Sequence, residues 1–300
     1  MMMANLEEVP KPKKIKGNIM IITSKDNKLI KEIKKLKEKK YRTNKFIIEG
    51  EKMLEEAIKE NAEIETIVVS ENFSFRNNDE LNRLVQKVKN ASKIEFENND
   101  KGELKKPITD KKIIVVSSNV FKELSDVKTP QGVLAVVAKK ENSNKIDFNE
   151  NYILALDGVQ DPGNMGTIIR TLDAANVHQL IVSKETVDSY SPKVIRSTMG
   201  SIFRVNVIEV ENLKETLEKA QGEGFKVIST ALDAKESIYE VNYNKKIVVI
   251  GNEANGVSKD IQDISDIKVK IPMPGKAESL NASVAAGLMI YEYVRESYNK

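Results

Sequence analysis

Three short segments in the second half of the chain carry residues that could bind a ligand or take part in catalysis. The first segment, residues 164–170, places Asn164 and Arg170 near the start of a predicted helix. A guanidinium stays protonated, so Arg170 cannot readily act as a base, but it can bind a phosphate or stabilise a developing oxyanion. Asn164 supplies neutral hydrogen bonds. The residues alone leave a surface ion pair open as the alternative role of Arg170.

The second and third segments are built from glycine, proline and small polar residues. Residues 251–256 follow a strongly apolar predicted strand, and their glycines permit positive φ and close backbone approach. Residues 271–294 begin with a loop that two prolines stiffen and that turns at Gly275. A helix is predicted from about Asn281, with Ser279 as its N-cap. Both loops are predicted to lie at strand ends, where open α/β sheets bind their ligands.

Composition excludes several other kinds of site. The chain of 300 residues contains no cysteine, which excludes disulfides, thiolate zinc sites and a cysteine nucleophile. The single histidine, His178, lies at the entry to a predicted strand and is interpreted as structural. No paired-histidine metal motif and no phosphate-binding glycine motif is present. No apolar run approaches the roughly 18 residues of a membrane span, and the N-terminus has no signal-like apolar region. We therefore expect a soluble, cytoplasmic protein without metal or membrane partners.

Alternating strand and helix patterns predict two α/β domains. In the first half, strands at 46–49 and 64–70 flank a helix at 51–59, and a further helix is predicted near 80–89. The polar stretch 141–150 shows no periodicity and is interpreted as a linker. The predicted organisation is a flexible tail over 1–17, a first domain over 18–140, the linker, and a second domain over 151–300.

The most basic stretch of the chain is residues 24–45, where ten lysines or arginines face only three acidic residues. Leu29, Ile33 and Leu36 recur at helical spacing, which predicts an amphipathic helix with a basic outer face. That face is either an ordinary solvated surface or a contact surface for a phosphate backbone. The candidate phosphate contacts are Lys34, Lys35 and Arg42, together with Arg196 on a short basic helix of the second domain.

Taken together, the three segments resemble the three motifs of the SpoU family of RNA 2′-O-ribose methyltransferases. The first motif matches at Asn164, Gly166 and Arg170, and the second at Gly251, Glu253 and Gly256. The third motif matches at residues of the proline loop and the helix that follows it: Ile271, Pro272, Met273, Gly275, Ser279, Leu280, Asn281, Ser283 and Ala285. The first domain resembles the family's L30e-like substrate-binding domain at NKFIIEGEKMLEEAI and TPQGVLAVV.

The resemblance implies a fold and a cofactor that composition could not indicate. An L30e-like α/β domain would be followed by an α/β methyltransferase domain with a C-terminal trefoil knot. S-adenosylmethionine would bind in the knot in a bent conformation, and the enzyme would be a homodimer with its active site near the subunit interface. The cofactor-binding residues would be Gly251, Glu253, Gly256, Ile271, Met273, Gly275 and Leu280.

The activity implied by the resemblance is methyl transfer to a ribose 2′-hydroxyl of rRNA, with 23S rRNA as the expected substrate. Arg170 would stabilise the alkoxide or bind the adjacent phosphate, and Asn164, Ser279 and Asn281 would orient the ribose. Glu253 would either hold its loop through backbone N–H groups or contact the substrate. The alternatives are methylation of tRNA, methylation of a base nitrogen on the same scaffold, and an RNA-binding or ribosome-assembly factor without catalysis.

Overall fold

The computed structural model describes residues 14–15, 19–71, 73, 112–140 and 145–298. The chain divides into two compact units, Met1–Lys140 and Glu141–Lys300. The predicted helix near 80–89 lies outside the described residues, and so does most of the predicted tail. Within that tail, Lys14–Ile15 forms a short strand.

The first unit is built on a six-stranded mixed sheet in the order β1-β2-β5-β4-β6-β3. Strands β2, β5 and β4 run parallel, whereas β6 is antiparallel to both of its neighbours. The strands are β1 Lys14–Ile15, β2 Ile19–Ile22, β3 Lys45–Glu49, β4 Ile64–Ser70, β5 Lys112–Val116 and β6 Val133–Ala138. The helices are α1 Lys28–Lys35, α2 Glu51–Lys59 and α3 Ser118–Leu124, with a 3-10 turn at Lys39–Tyr41.

One core holds α1 and α3 on the sheet of the first unit. Ile30 and Ile33 of α1 are buried with Phe121 and Leu124 of α3 against Val68 of β4. The apolar spacing that predicts this amphipathic helix is therefore confirmed, and its charged face points away from the core.

The second unit is an all-parallel, seven-stranded sheet in the order β11-β13-β10-β12-β7-β8-β9. Its strands are β7 Tyr152–Asp157, β8 Gln179–Ser183, β9 Asn206–Val210, β10 Lys226–Thr230, β11 Glu236–Ser237, β12 Lys246–Gly251 and β13 Ile267–Lys270. The helices are α4 Pro162–Ala174, α5 Pro192–Thr198, α6 Leu213–Gly222, α7 Lys259–Ile264 and α8 Ala282–Tyr298, with a 3-10 turn at Ser201–Phe203.

The strand order reverses between β7 and β12. From β7 the chain moves outward through β8 and β9, and it then crosses to the other side of β7 to form β10, β12 and β13. Such a switch point opens a crevice at the carboxyl ends of the two central strands. Helix α8 returns to pack on α4 and β12, so the third segment reaches the same crevice. The trefoil knot implied by the family stays a prediction.

Two features of the second unit differ from the sequence predictions. Residues 145–150 of the predicted linker pack on the second unit: Gln179 exchanges two hydrogen bonds with the backbone of Asp147, at 2.7 and 2.9 Å, and Phe148 lies 6.1 Å from Phe225 between ring centroids. Residues 141–144 lie outside the described residues. The segment SPKVIRSTMGSIF, which the sequence predicts as one short basic helix containing Arg196, is instead interrupted at Met199, where φ is 51°.

None of the helices in the described part of the chain has the length and apolarity needed to cross a membrane. Within the same residues, no cluster of three histidine or acidic side chains could hold a metal ion.

Candidate active site at the β7–β12 boundary

The loop after β7 is held firmly at the carboxyl end of the sheet. Gly158, with φ of 73°, donates its N–H to the hydroxyls of Ser183 and Thr186 at 3.1 and 3.2 Å. Its carbonyl accepts from Nδ2 of Asn252 at 2.8 Å. Since Gly251 pairs with Asp157 in register, the loops after β7 and β12 lie side by side and are bonded to each other.

The loop after β12 is a miniature hairpin. Asn252 and Gly256 exchange two backbone hydrogen bonds, at 3.0 and 2.9 Å. A Cβ on Gly251 would lie 1.9 Å from the carbonyl carbon of Gly256 and 2.0 Å from the N of Val257. The family resemblance implies that Gly251 and Gly256 contact the cofactor, but the structure gives a different reason for glycine at position 251, because the loop's own backbone fills the position of its side chain.

Glu253 ties this hairpin to the start of α4. Its carboxylate accepts from the backbone N–H groups of Gln160 and Asp161 at 3.1 and 3.2 Å, and from Nδ2 of Asn164 at 2.9 Å. Burial opposes ionisation of the carboxyl, but these hydrogen bonds outweigh it and lower the pKa of Glu253. Of the two roles left open by the sequence, the observed contacts match the one in which Glu253 holds the loops through backbone N–H groups.

Asn164 and Asn281 join all three segments. The buried Asn164 donates to Glu253 and accepts from Nδ2 of Asn281 at 2.8 Å. Oδ1 of Asn281 in turn accepts from the N–H of Ser283 and of Val284, at 2.9 and 3.3 Å. The result is a directional chain of hydrogen bonds from the carboxylate to the first turn of α8, which we call the amide relay. It comprises Glu253, Asn164 and Asn281.

The relay corrects one prediction about α8. Asn281 is the N-cap of this helix, and the sequence prediction of Ser279 was wrong. Ser279 is exposed, and its hydroxyl has no hydrogen-bond partner among the described residues. It therefore remains available to a ligand.

Arg170 lies on α4, one turn after Gly166, and is exposed at the surface. Its guanidinium forms no hydrogen bond or ion pair with any described residue, so the surface ion pair left open by the sequence is not found. A Cβ on Gly166 would lie 2.3 Å from Cβ of Ser197 on α5. This glycine therefore lets α4 and α5 pack closely at a point one turn before Arg170.

The predicted cofactor loop follows β13 and is largely open. Ile271 and Met273 are half-buried, Gly275 is exposed and Leu280 is 37% exposed. The backbone from Ile271 to Leu280 makes no backbone–backbone hydrogen bond with any described residue. Its donors and acceptors are free to bind a ligand.

The sequence prediction overlooked the loop after β10. This strand lies between β12 and β13 and runs parallel to both, so its carboxyl end opens on the same edge. The hydroxyl of Ser229, the second-last residue of β10, is fully buried without a partner among the described residues, and Leu232 in the loop is 73% exposed. Ligands of open α/β sheets bind at the carboxyl ends of the strands, and applying this rule to the segment FKVISTAL would have identified the loop.

The four candidate RNA contacts fall into different environments. Arg42 is only 5% exposed and donates to the carbonyl of Leu36 at 2.7 Å, so it holds a turn and is not placed to bind phosphate. Lys34 forms an ion pair with Glu123 at 2.7 Å. Lys35 is exposed, whereas Arg196 is half-buried near the end of α5.

Comparisons with known proteins cover both units. Residues 151–291 match the model of the SpoU rRNA Methylase family, and residues 27–135 match that of the MRM3-like substrate binding domain. The 23S rRNA (guanosine(2553)-2′-O)-methyltransferase RlmP of Bacillus subtilis is 32% identical over 273 residues, which are 90% of this chain and 97% of the relative. An AdoMet-bound rRNA methyltransferase from Sinorhizobium meliloti has a TM-score of 0.76 at 27% identity, over 93% of this chain and 99% of that one. The chain therefore belongs to the SpoU family of S-adenosylmethionine-dependent RNA methyltransferases.

Proposed function

We propose that this protein methylates the 2′-hydroxyl of one ribose in 23S rRNA. The observation that carries the proposal is the match to RlmP, which extends through both units and spans 97% of the relative. A solved structure described as an RNA 2′-O ribose methyltransferase supports the same acceptor, with a TM-score of 0.71, 29% identity and coverage of 93% of this chain. A cytoplasmic location is part of the proposal, since rRNA is the substrate.

The described residues fit S-adenosylmethionine at the carboxyl ends of β10, β12 and β13. The free backbone groups of the loop that begins at Ile271 suit the edges of an adenine ring and a ribose, and Met273 and Leu280 supply apolar contacts. When bound, the cofactor supplies an electrophilic methyl group on its sulfonium.

Within this site we distinguish residues that touch the substrate from residues that position the loops. Arg170 and Ser279 are the proposed catalytic residues, because both are exposed and have no partner among the described residues. The Arg170 guanidinium would stabilise the negative charge that develops on the ribose oxygen, or bind the phosphate next to it. Asn164, Glu253 and Asn281 are proposed as positioning residues, since their polar atoms are engaged with one another.

A homodimer completes the proposal, and α8 supplies the surface for it. Val284, Leu288 and Tyr291 are 50%, 36% and 51% exposed and recur at i, i+4 and i+7. They form an apolar stripe along a helix whose other face is buried. A second copy related by a twofold axis would cover this stripe with the same stripe. Leu288→Lys should therefore give monomers in sedimentation velocity, and a dimer of unchanged affinity would exclude α8 from the interface.

The acceptor is tested by the alkali resistance that a ribose methyl group confers. Incubation of 23S rRNA from a deletion strain with the protein and radiolabelled S-adenosylmethionine should produce one alkali-resistant linkage that carries the label. Label in RNA whose bonds all stay alkali-labile would identify a base as the acceptor. Label in tRNA alone would show that the substrate is tRNA and not 23S rRNA. No label in either RNA would favour the non-catalytic alternative.

A further inference from the structure

The turn that follows α1 displays an aromatic ring at the surface of the first unit. Tyr41 is the only tyrosine within residues 1–140, and it is 39% exposed. The phenylalanines of the described core, Phe46 and Phe121, are only 2% exposed. Tyr41 is therefore not a core residue, and its ring is held outside the packed interior.

Hydrogen bonds from Arg42 and from the backbone fix the turn that carries Tyr41. The buried Arg42 donates from Nη1 to the carbonyl of Leu36 at 2.7 Å, which closes the end of α1. The backbone N–H groups of Tyr41 and Arg42 donate to Glu38 and Lys39 at 3.1 and 3.0 Å. The neighbouring arginine thus fixes the backbone from which the ring projects, and little conformational entropy remains to be lost when a ligand covers it.

Two ammonium groups frame the ring. Nζ of Lys40 lies 4.9 Å from the ring centroid of Tyr41, and Nζ of Lys35 lies 5.6 Å from it. Lys40 also forms an ion pair with Glu38 at 2.9 Å. Lys35 forms no ion pair with any described residue, and the same holds for Lys28, which lies two turns earlier on α1 and about 10 Å away along the axis.

We propose that Tyr41 is a platform on which one unpaired nucleobase of the substrate RNA stacks, while Lys35 and then Lys28 bind successive phosphates along α1. The inference rests on the proposed function, because it takes RNA as the substrate. An exposed aromatic ring between cations is the combination that single-stranded nucleic acids bind, since every base has a π-face and every nucleotide a charge.

The lysine contacts do not prevent stacking. An exposed cation–π contact is weaker than the stacking of a base on an aromatic ring, so a base can displace an ammonium group from the ring. The displaced Lys35 stays tethered within reach of the nucleotide's phosphate. The same side chain therefore covers the ring in the free protein and neutralises the backbone in the complex.

The test compares two substitutions that differ only in whether the ring remains. Tyr41→Ala removes it and Tyr41→Phe keeps it, while Tyr239→Ala removes a 56% exposed tyrosine of the second unit as a matched control. The probe is a short fluorescein-labelled oligoadenylate, read by anisotropy, with a duplex of equal length alongside. Tyr41→Ala should weaken binding of the single strand about tenfold, whereas Tyr41→Phe and Tyr239→Ala should stay within about twofold. Binding of the duplex should not change.

An unchanged melting temperature and circular dichroism spectrum of each variant will show that the first unit, which carries Tyr41, keeps its fold. Equal affinities of Tyr41→Ala and Tyr41→Phe for the single strand would overturn the platform, as would an equal loss for the duplex. Photocrosslinking of a 4-thiouridine oligonucleotide should label the peptide that contains Tyr41, and labelling confined to other peptides would also overturn it. If wild-type protein transfers no methyl group to RNA but Tyr41→Ala still loses the oligoadenylate, the proposed function fails and the platform stands.

Discussion

Replacing the hydrogen-bond donor of Asn281 in the amide relay with an acceptor should weaken cofactor binding while α8 stays folded. Asn281→Asp makes this change with almost no change in shape. Its remaining oxygen can still accept from the backbone of Ser283 and Val284, and aspartate is as good an N-cap as asparagine. Its second oxygen replaces the Nδ2 group that now donates to Asn164. The substitution therefore tests the link between the segments separately from the helix cap.

The expected loss follows from the direction of the relay. The introduced oxygen would face Oδ1 of Asn164, where a donor now lies 2.8 Å away. Turning the Asn164 amide over would instead direct its oxygen at the carboxylate of Glu253, so either orientation loses one hydrogen bond. A lost partner for a buried polar group costs about 1–3 kcal/mol, and the added negative charge at the start of α8 returns about 0.3–1 kcal/mol. Because the cofactor is proposed to bind only the aligned loops, this net of about 1–2 kcal/mol is the energy needed to align them again, which corresponds to a roughly five- to thirtyfold weaker affinity for S-adenosylmethionine.

Isothermal calorimetry measures this affinity, and the chain offers a matched control. Asn27 is the N-cap of α1, where its Oδ1 accepts from the N–H of Leu29 at 3.0 Å, and its Nδ2 donates to no described residue. Asn27→Asp should therefore leave the affinity unchanged. An affinity of Asn281→Asp within twofold of wild type would refute the positioning role of the relay.

A second substitution tests the order of donors and acceptors in the relay, which runs from Asn281 through Asn164 to Glu253. With Glu253→Gln added to Asn281→Asp, the amide of Asn164 can turn over, donate to the introduced carboxylate and accept from the introduced amide. The double variant should then bind the cofactor more tightly than the sum of the two single losses predicts. Strictly additive losses would show that the two positions act independently.

Three further predictions concern packing, catalysis and charge. Gly166→Ala should lower the stability of the second unit by about 1–3 kcal/mol, because its Cβ would lie 2.3 Å from Ser197. Gly222→Ala, which meets nothing within 4 Å at the end of α6, should not lower it, and calorimetric melting compares the two. Arg170→Ala should retain cofactor affinity and lower the single-turnover rate about a hundredfold or more, and a normal rate would leave the guanidinium without a catalytic role. Hydrogen bonds from two lysines lower the pKa of Glu123 to about 2, so its contribution to stability should be present above about pH 4.5 and lost as the pH falls towards 2. Denaturant titrations of wild type and Glu123→Gln should therefore converge at low pH, and a difference at pH 2 as large as the difference at neutral pH would contradict this.

Local patterns predicted the elements whose boundaries depend on near neighbours. Helix α2 and strand β4 begin and end at the predicted residues, because their apolar periodicity changes sharply at both ends. Predictions failed where a distant contact decides the outcome. Ser279 and Asn281 are both good N-cap residues. Asn281 is the one that caps α8, and its side chain also contacts the distant Asn164. Likewise, Arg42 looks like any other cation of the basic stretch, and only the closing of the turn on Leu36 buries it.

The sequence by itself determined the family, the two-part organisation and the three segments that carry the candidate chemistry. It could do so because those properties depend on residue types and short spacings. Only the tertiary structure decided which of these residues bond to one another. Asn164 lies 89 residues from Glu253 and 117 from Asn281, and no local rule relates positions so far apart. They meet because the strand order places β12 beside β7 and α8 packs on both α4 and β12. The same long-range packing left Arg170 and Ser279 without partners among the described residues, which separates the proposed catalytic groups from those that position the loops.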